Sequence, residues 1–258
     1  MTARWRLGLL IAAMLALAPA VWAVVTALPP FGSPTAAYGQ VVNRLLPHLR
    51  TVSNMVAAVN FDVRGLDTLG EESMLLCAVT GAVVLLRGSR GEDRAEHAGR
   101  VPGRATIERD DASIVVCRIG APILLAFSAY VALHGTVTPG GGFQAGAIAA
   151  SGLLLVYLGD GYARWRSRVP HPLMAFIEGL GALLFVLCAA LPLAWSVPAL
   201  TNLLPTGKWK DLYSGGLMVP VNIGVALAVL GGFAVLVAEF MEETRTPRSD
   251  PVPDEEDA

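Results

Sequence analysis

Residues 60–72, NFDVRGLDTLGEE, set the acids Asp62, Asp67, Glu71 and Glu72 around one arginine, Arg64, directly before a long apolar run. Carboxylates gathered about a single guanidinium at a membrane boundary can hold a cation or exchange a proton, since each is costly there unless it meets a counter-charge, water or a proton. A structural reading covers part of the pattern. Thr68 followed three residues later by Glu71 has the form of a capping box at a helix start, and Asp67 and both glutamates suit the positive end of the helix dipole. Capping accounts for Thr68 and Glu71 and leaves Asp62, Arg64 and Glu72 less explained. All five charged residues, Asp62, Arg64, Asp67, Glu71 and Glu72, are therefore candidates for an ion or proton path.

A second stretch, 134–146, reads HGTVTPGGGFQAG. It is not a phosphate loop: counting from Gly140, a GxGxxG pattern needs glycine where Ala145 stands, and a Walker loop needs lysine where Ala147 stands. A plain turn explains Pro139 and one glycine. The spacing that follows asks for more. Gly142, Gly146 and Ala150 recur every four residues, as do Gly224, Ala228 and Gly232, giving two spans a small-residue strip on which another helix can lie closely. Gly140, Gly141 and Gly142 then form a tight hairpin feeding a closely packed helix. His134 reads either as an interfacial hydrogen-bonding residue or as a proton relay.

Few ionisable groups fall inside the apolar runs. Glu178, about two turns into its span, is a candidate proton acceptor whose alternative is a hydrogen bond between helices. Asn222 lies in the last span, Glu239 at its end reads as a boundary residue, and Arg118 can snorkel to the surface. No Ser/His/Asp set, HExxH or nucleotide motif is present, so no enzymatic site and no cofactor is indicated. Cys77, Cys117 and Cys188 all lie in apolar segments without metal-ligand spacing, which speaks against a metal site.

The elements that must carry these residues are membrane helices. With 54% hydrophobic and 16% charged residues in 258, and a mean hydropathy of +0.56, the chain is too apolar for a water-soluble domain. Runs long enough for a roughly 30 Å hydrocarbon core occur near 7–28, 68–86, 114–133, 143–162, 172–195 and 217–240. These predict an all-α integral membrane protein of six spans. Arg4 and Arg6, the arginines between 87 and 109, and Arg164, Arg166 and Arg168 all fall on one side, which predicts both termini in the cytoplasm. The first run also resembles a signal peptide, with Val21, Trp22 and Ala23 as a small-residue site, but it continues to Leu28 and is read as a retained helix. Residues 89–111 read as a polar cytoplasmic linker and 242–258 as an acidic disordered tail. The net charge of -2 gives no sign of a nucleic-acid partner.

HGTVTPGGGFQAG and the span after it resemble the signature of the B-type subunit of multi-subunit Na+/H+ antiporters of the Mrp type, a module also found in membrane-bound hydrogenases. Residues 54–71, ending in FDVRGLDTLGE, resemble the C-terminal segment of the large A-type subunit of the same antiporters. The chain thus resembles a fusion, with an A-type two-span unit at 1–88 and a four-span B-type domain at 112–241. One departure is Ala145, where the family usually has a second glycine beside Gly146.

The resemblance implies a supporting subunit of a bacterial or archaeal cell membrane, exchanging Na+ for H+ together with large antiporter-like and small membrane subunits. It implies roles in that path for Asp62, Arg64, Asp67, Glu71, His134 and the three glycines. The absence of lysine from every span suits a supporting role. The alternative is a membrane-arm subunit of a redox-driven hydrogenase or complex-I-like ion pump, whose redox centres would sit on other chains. A third reading is a scaffold without ion contact, in which every boundary acid is a cap.

Overall fold

The computed structural model describes residues 3–28, 32, 37–92, 100–102, 110–243 and 245–247. Contacts divide the chain into two bodies, Met1–Val42 and Asn43–Ala258. This division differs from the sequence boundary at residue 88, because the second predicted span packs with the later ones. The first body holds α1 (Ala3–Ala27), an apolar helix with Pro19 inside it, and the beginning of α2 (Ala37–Arg50). Six helical segments among the described residues are long and apolar enough to cross a membrane, as the hydropathy pattern predicts.

The second body continues with α3 (Met55–Ala58), a π-helical turn at Val59–Val63, and α4 (Gly65–Glu92). It is completed by α5 (Asp111–Leu133), α6 (Gly142–Asp160), the short α7 (Tyr162–Arg168), α8 (His171–Ala190) with a 3₁₀ turn at Leu191–Trp195, and α9 (Met218–Glu243). A two-stranded ribbon pairs β1 (Arg100–Pro102) with β2 (Arg245–Pro247) in antiparallel register. Those three residues of the acidic tail are therefore extended and paired; most of the rest of the tail and of the polar linker lies outside the described residues.

The centre of the second body is α9, against which α4, α6 and α8 all pack, with α5 on the outside of α6. Membrane helices gain nothing from leaving lipid for another apolar surface, so close backbone approach and dispersion must hold them together. Glycine makes that approach possible here. A Cβ at Gly146 of α6 would stand 2.6 Å from Val229 Cβ and 2.7 Å from Ala226 O, and one at Gly142 would stand 2.2 Å from Asn222 O. On the opposite flank, a Cβ at Gly181 of α8 would stand 2.3 Å from Ala228 N and 2.4 Å from Gly224 O. Gly231 meets α8 in the same way, 2.4 Å from Glu178 N. Between α5 and α6, Ser128 Oγ donates to Ala145 O at 2.7 Å.

The helix ends explain where the sequence boundaries shift. Gly161 has φ of 84°, a conformation open to glycine, so α6 stops at Asp160 and α7 starts anew. Asp160 is anchored there: its side chain is only 4% exposed and accepts from Arg118 Nε at 2.7 Å, Arg164 Nη1 at 3.1 Å and Arg168 Nη1 at 2.7 Å. Arg118 thus ends on a carboxylate. At the other end of the body, α4 begins at Gly65, one turn before Thr68. The expected capping box of Thr68 and Glu71 is not formed, because the preceding π turn runs into the helix and Thr68 already lies within it. Arg64 Nε, bonded to Asp67 Oδ2 at 2.6 Å, closes that first turn instead.

Gly146→Ala and Gly181→Ala should each destabilise the protein by roughly 1–3 kcal/mol, because the new methyl meets backbone that cannot yield. Gly70→Ala and Gly81→Ala, where a Cβ has nothing within 4 Å, should change stability by less than about 1 kcal/mol. Thermal unfolding of the four purified variants in detergent checks this; equal losses at all four positions would remove the close-packing account.

Candidate functional site

At the end of the second body opposite the arginine-rich connections, one buried side chain organises the chain. Asn54 caps α3 by accepting through Oδ1 from Val56 N at 3.1 Å and Ala57 N at 3.4 Å. Its Nδ2 lies 2.7 Å from Gly135 O, 2.9 Å from Thr138 O and 2.8 Å from Gly140 O, so two hydrogens are shared among three carbonyls of the glycine hairpin. The backbone joins in, with Ser53 N and Asn54 N both donating to Thr136 O. Asn222 of α9 holds the last turn of α5, where the hairpin begins, donating from Nδ2 to Ala132 O at 2.6 Å. Gly135 has to be glycine for this, since a Cβ there would stand 2.5 Å from Asn222 Nδ2. Gly140 turns the chain with φ of 141° and Gly141 follows in extended form, after which α6 begins.

Just beyond Asn54 the helix widens. Arg64 N donates to Val59 O at 2.7 Å, the wide bond of the π turn, and this turn presents Asn60, Phe61 and Asp62. Asp62 accepts from Arg50 Nε at 2.5 Å and is thereby held away from Arg64. The acidic segment is therefore two separate ion pairs, Asp62 with Arg50 and Asp67 with Arg64, and two glutamates outside both.

Between the π turn, the start of α4 and the hairpin lies a cavity of about 410 Å³. Asn60, Phe61, Thr68, Glu71 and Glu72 form one wall, and residues 139–144 with Val225 of α9 form the other. Glu71 is exposed, whereas Glu72 is only 7% exposed and its Oε2 has no hydrogen-bond partner. A buried carboxyl oxygen without a donor is expensive in an apolar surround, which leaves it open to a proton, a water molecule or a small cation. The cavity walls supply further oxygens for such a guest.

The remaining candidates lie elsewhere. His134 sits at the C-terminal end of α5, stacked on Tyr130 with ring centroids 4.0 Å apart and donating from Nδ1 to Tyr130 O at 2.9 Å, and it does not line the cavity. It therefore stands at the negative end of the α5 dipole. Glu178 is buried between α8 and α9, far along the bundle from the hairpin, with Oε1 unpartnered. Gly142 and Gly146 lie against α9, while Gly224, Ala228 and Gly232 lie against α8.

Three functional groups escape sequence reasoning: the Asn54 clamp, the pairing of Arg50 with Asp62, and Glu239. Glu239 is 1% exposed and paired with Arg87 at 2.7 Å and His171 at 3.0 Å, although its place at a span end reads as a boundary residue. A polar residue just before a helix, as Asn54 is, gives a capping signal, but nothing in sequence spacing ties it to carbonyls some 80 positions away.

Comparison with known proteins gives the following likenesses. Residues 112–235 match the family model described as a domain related to the MnhB subunit of Na+/H+ antiporter. The B-type subunit of a Na(+)/H(+) antiporter from Alkalihalophilus pseudofirmus is 30% identical over 128 residues, which are 49% of this chain and 88% of that protein. A probable K(+)/H(+) antiporter protein of Rhizobium meliloti, of the combined A/B type, is 30% identical over 224 residues, covering 76% of this chain; the match spans only 21% of that longer protein. Among solved structures, a chain of the membrane-bound sulfane sulfur reductase, an archaeal respiratory membrane complex, superposes with a TM-score of 0.73 at 26% identity, covering 92% of this chain and 99% of that one.

Asn54→Ala removes three hairpin contacts and a cap, and a lost buried hydrogen bond costs about 1–3 kcal/mol. Hydrogen exchange of the Val137 and Thr138 amides should accelerate on the order of tenfold or more, while amides in the middle of α9 stay protected. Unchanged exchange in the hairpin would show that Asn54 does not hold it.

Proposed function

The chain belongs to the family of the MnhB subunit of Na+/H+ antiporters, and we propose from that membership that it is a multi-pass plasma-membrane component of a Mrp-type cation/proton antiporter that helps to form the ion path. The carrying observation is Glu72: a buried carboxyl oxygen without a partner, opening into a cavity walled by the family's glycine hairpin and by the acidic segment. Na+ or H+ enters the cavity from the hairpin side and meets Glu72, with Glu71 at the mouth. Asp62, Arg64 and Asp67 act by holding the π turn and the start of α4 in place. His134 fixes the end of α5 at the interface.

Residues 1–88 supply the part that resembles the A-type tail, and 112–241 the B-type domain. The likeness to a K(+)/H(+) antiporter protein of combined A/B type over both parts supports one functional unit made from the two. The arginine-rich end faces the cytoplasm, because basic residues are retained on that side. The exposed apolar flanks of α4 and α5 face lipid or the large and small membrane subunits of the complex. The chain's own role is transport and assembly, without catalysis.

The likeness to a chain of a respiratory complex, coextensive with this one, favours a second reading: the same module in the membrane arm of a redox-driven pump. Both readings use the cavity in the same way and differ in what drives it.

The deciding experiment tags the protein, extracts it from native membranes in mild detergent and identifies its companions by mass spectrometry. Antiporter-like subunits without redox proteins are expected; iron-sulfur or nickel-iron subunits would favour the redox-driven reading, and recovery alone would overturn both. In proteoliposomes of the purified complex, Glu72→Gln should lower cation/proton exchange by about tenfold or more with subunit composition intact. Exchange at the wild-type rate would remove the cavity from the ion path.

A further inference from the structure

Two buried carboxyl groups outside the cavity stand in register with it. On α4 the cavity residue Glu72 is followed seven positions later by Val79 and after eight more by Arg87; on α9, Val225, Gly232 and Glu239 are spaced by seven; on α8, His171 and Glu178 are spaced by seven in the opposite direction. The contacts lock these series together. Glu72 and Val225 line the same cavity. Two turns deeper, Glu178 Oε1 and Val79 Cγ2 converge on Gly232, 3.0 and 3.3 Å from where a Cβ would stand. Two turns deeper again, Glu239 Oε1 meets Arg87 Nη2 at 2.7 Å and His171 Nε2 at 3.0 Å. Seven residues rise by about 10 Å, so the three levels together cross most of a roughly 30 Å core.

We propose that α4, α8 and α9 carry protons through this chain itself by way of Glu72, Glu178 and Glu239, the last handing over to His171 at the arginine-rich end.

Glu178 is the middle station. It is 7% exposed, its Oε1 has no hydrogen-bond partner, and Val79, Gly231 and Gly232, which lie beside it from α4 and α9, carry no charge. Among the described residues no side-chain hydrogen bond joins Glu178 to another helix, so the alternative of a structural hydrogen bond has no partner here. Gly232 puts no side chain against this oxygen, and the proposed path places bridging water on either side of it.

His171 has the geometry of a terminal station. Its Nε2 lies 2.8 Å from Arg87 Nη2 and 3.0 Å from Glu239 Oε1. Arginine can only donate and a carboxylate can only accept, so the same nitrogen faces Arg87 when it bears a lone pair and Glu239 when it bears a proton. One position serves both states.

The transfer balances without redox chemistry. Glu72 takes a proton from water in the cavity and becomes the neutral acid. Its O–H proton passes to bridging water while that water releases one to Glu178, and the exchange repeats between Glu178 and Glu239. Glu239 gives its proton to His171 Nε2, which releases it to water. Each group gains one proton and loses one, and the path runs equally in reverse.

The flux part of the test rests on the antiporter reading; the spectroscopic part does not. In proteoliposomes of the intact complex, Glu178→Gln should reduce proton-coupled cation flux by about tenfold or more with subunit composition unchanged, and Glu178→Asp should keep part of it. Gly232→Ala, which leaves the carboxyl in place but crowds it, should reduce flux less than Glu178→Gln. In infrared difference spectra of the full chain in lipid, recorded between two pH values, Glu178→Gln should remove a carboxyl band that shifts in deuterated water. Wild-type flux in Glu178→Gln, or no lost carboxyl band, overturns the proposal. If the wild-type complex exchanges no cation for protons, the antiporter reading falls, and the band alone decides whether Glu178 takes up a proton.

Discussion

Helices α6 and α8 rest on α9 backbone against backbone, and the rest of the second body depends on that contact. Lipid tails are as apolar as leucine, so burying apolar surface between helices brings little of the gain it would bring in water. What remains is dispersion between atoms at close range, and a gap of about 0.5–1 Å already forfeits roughly a quarter to a half of it. Gly142, Gly146, Gly181 and Gly231 bring main chains to distances that any side chain would prevent. With α9 fixed between two partners, α4 can pack on it as well, and the buried faces of three helices come to share one line.

The buried polar groups of the second body fall into two kinds, those with partners and those without. Asn54 donates into the carbonyls of the glycine hairpin and Asn222 into the last turn of α5 beside it. Asp160 and Glu239 are enclosed by arginines or by arginine and histidine. Glu72 and Glu178 instead keep an oxygen free in a setting where a free oxygen is costly. Among the buried side-chain atoms without a hydrogen-bond partner in the described residues, those of Glu72 and Glu178 are the carboxyl oxygens, and the smallest guest a carboxyl group can take is a proton.

How much of this is legible in sequence differs from residue to residue. The strip of Gly142, Gly146 and Ala150 could be read from spacing, because helical periodicity puts every fourth residue on nearly one face. The start of α4 could not: Thr68 and Glu71 have the form of a cap, but a π turn upstream moves the helix start to Gly65, and a one-residue widening leaves no compositional mark. The cluster around Arg64 reads as one site and folds as two, because Arg50, outside the segment, claims Asp62. Glu239 reads as a boundary residue because position along a helix is visible in sequence while its facing is not.

The sequence by itself determined the count of spans, the small-residue faces and the family signature, since these follow from local composition and from the fixed periods of helix and bilayer. Only the tertiary structure decided which helix each strip meets, which carboxyl groups are paired and which are left open. Pairing depends on side chains some 12 to more than 150 residues apart arriving at the same depth, as with Arg50 and Asp62 or Arg87 and Glu239. Depth and facing are set jointly by all the helices packed on α9, and no local stretch of the chain contains that information.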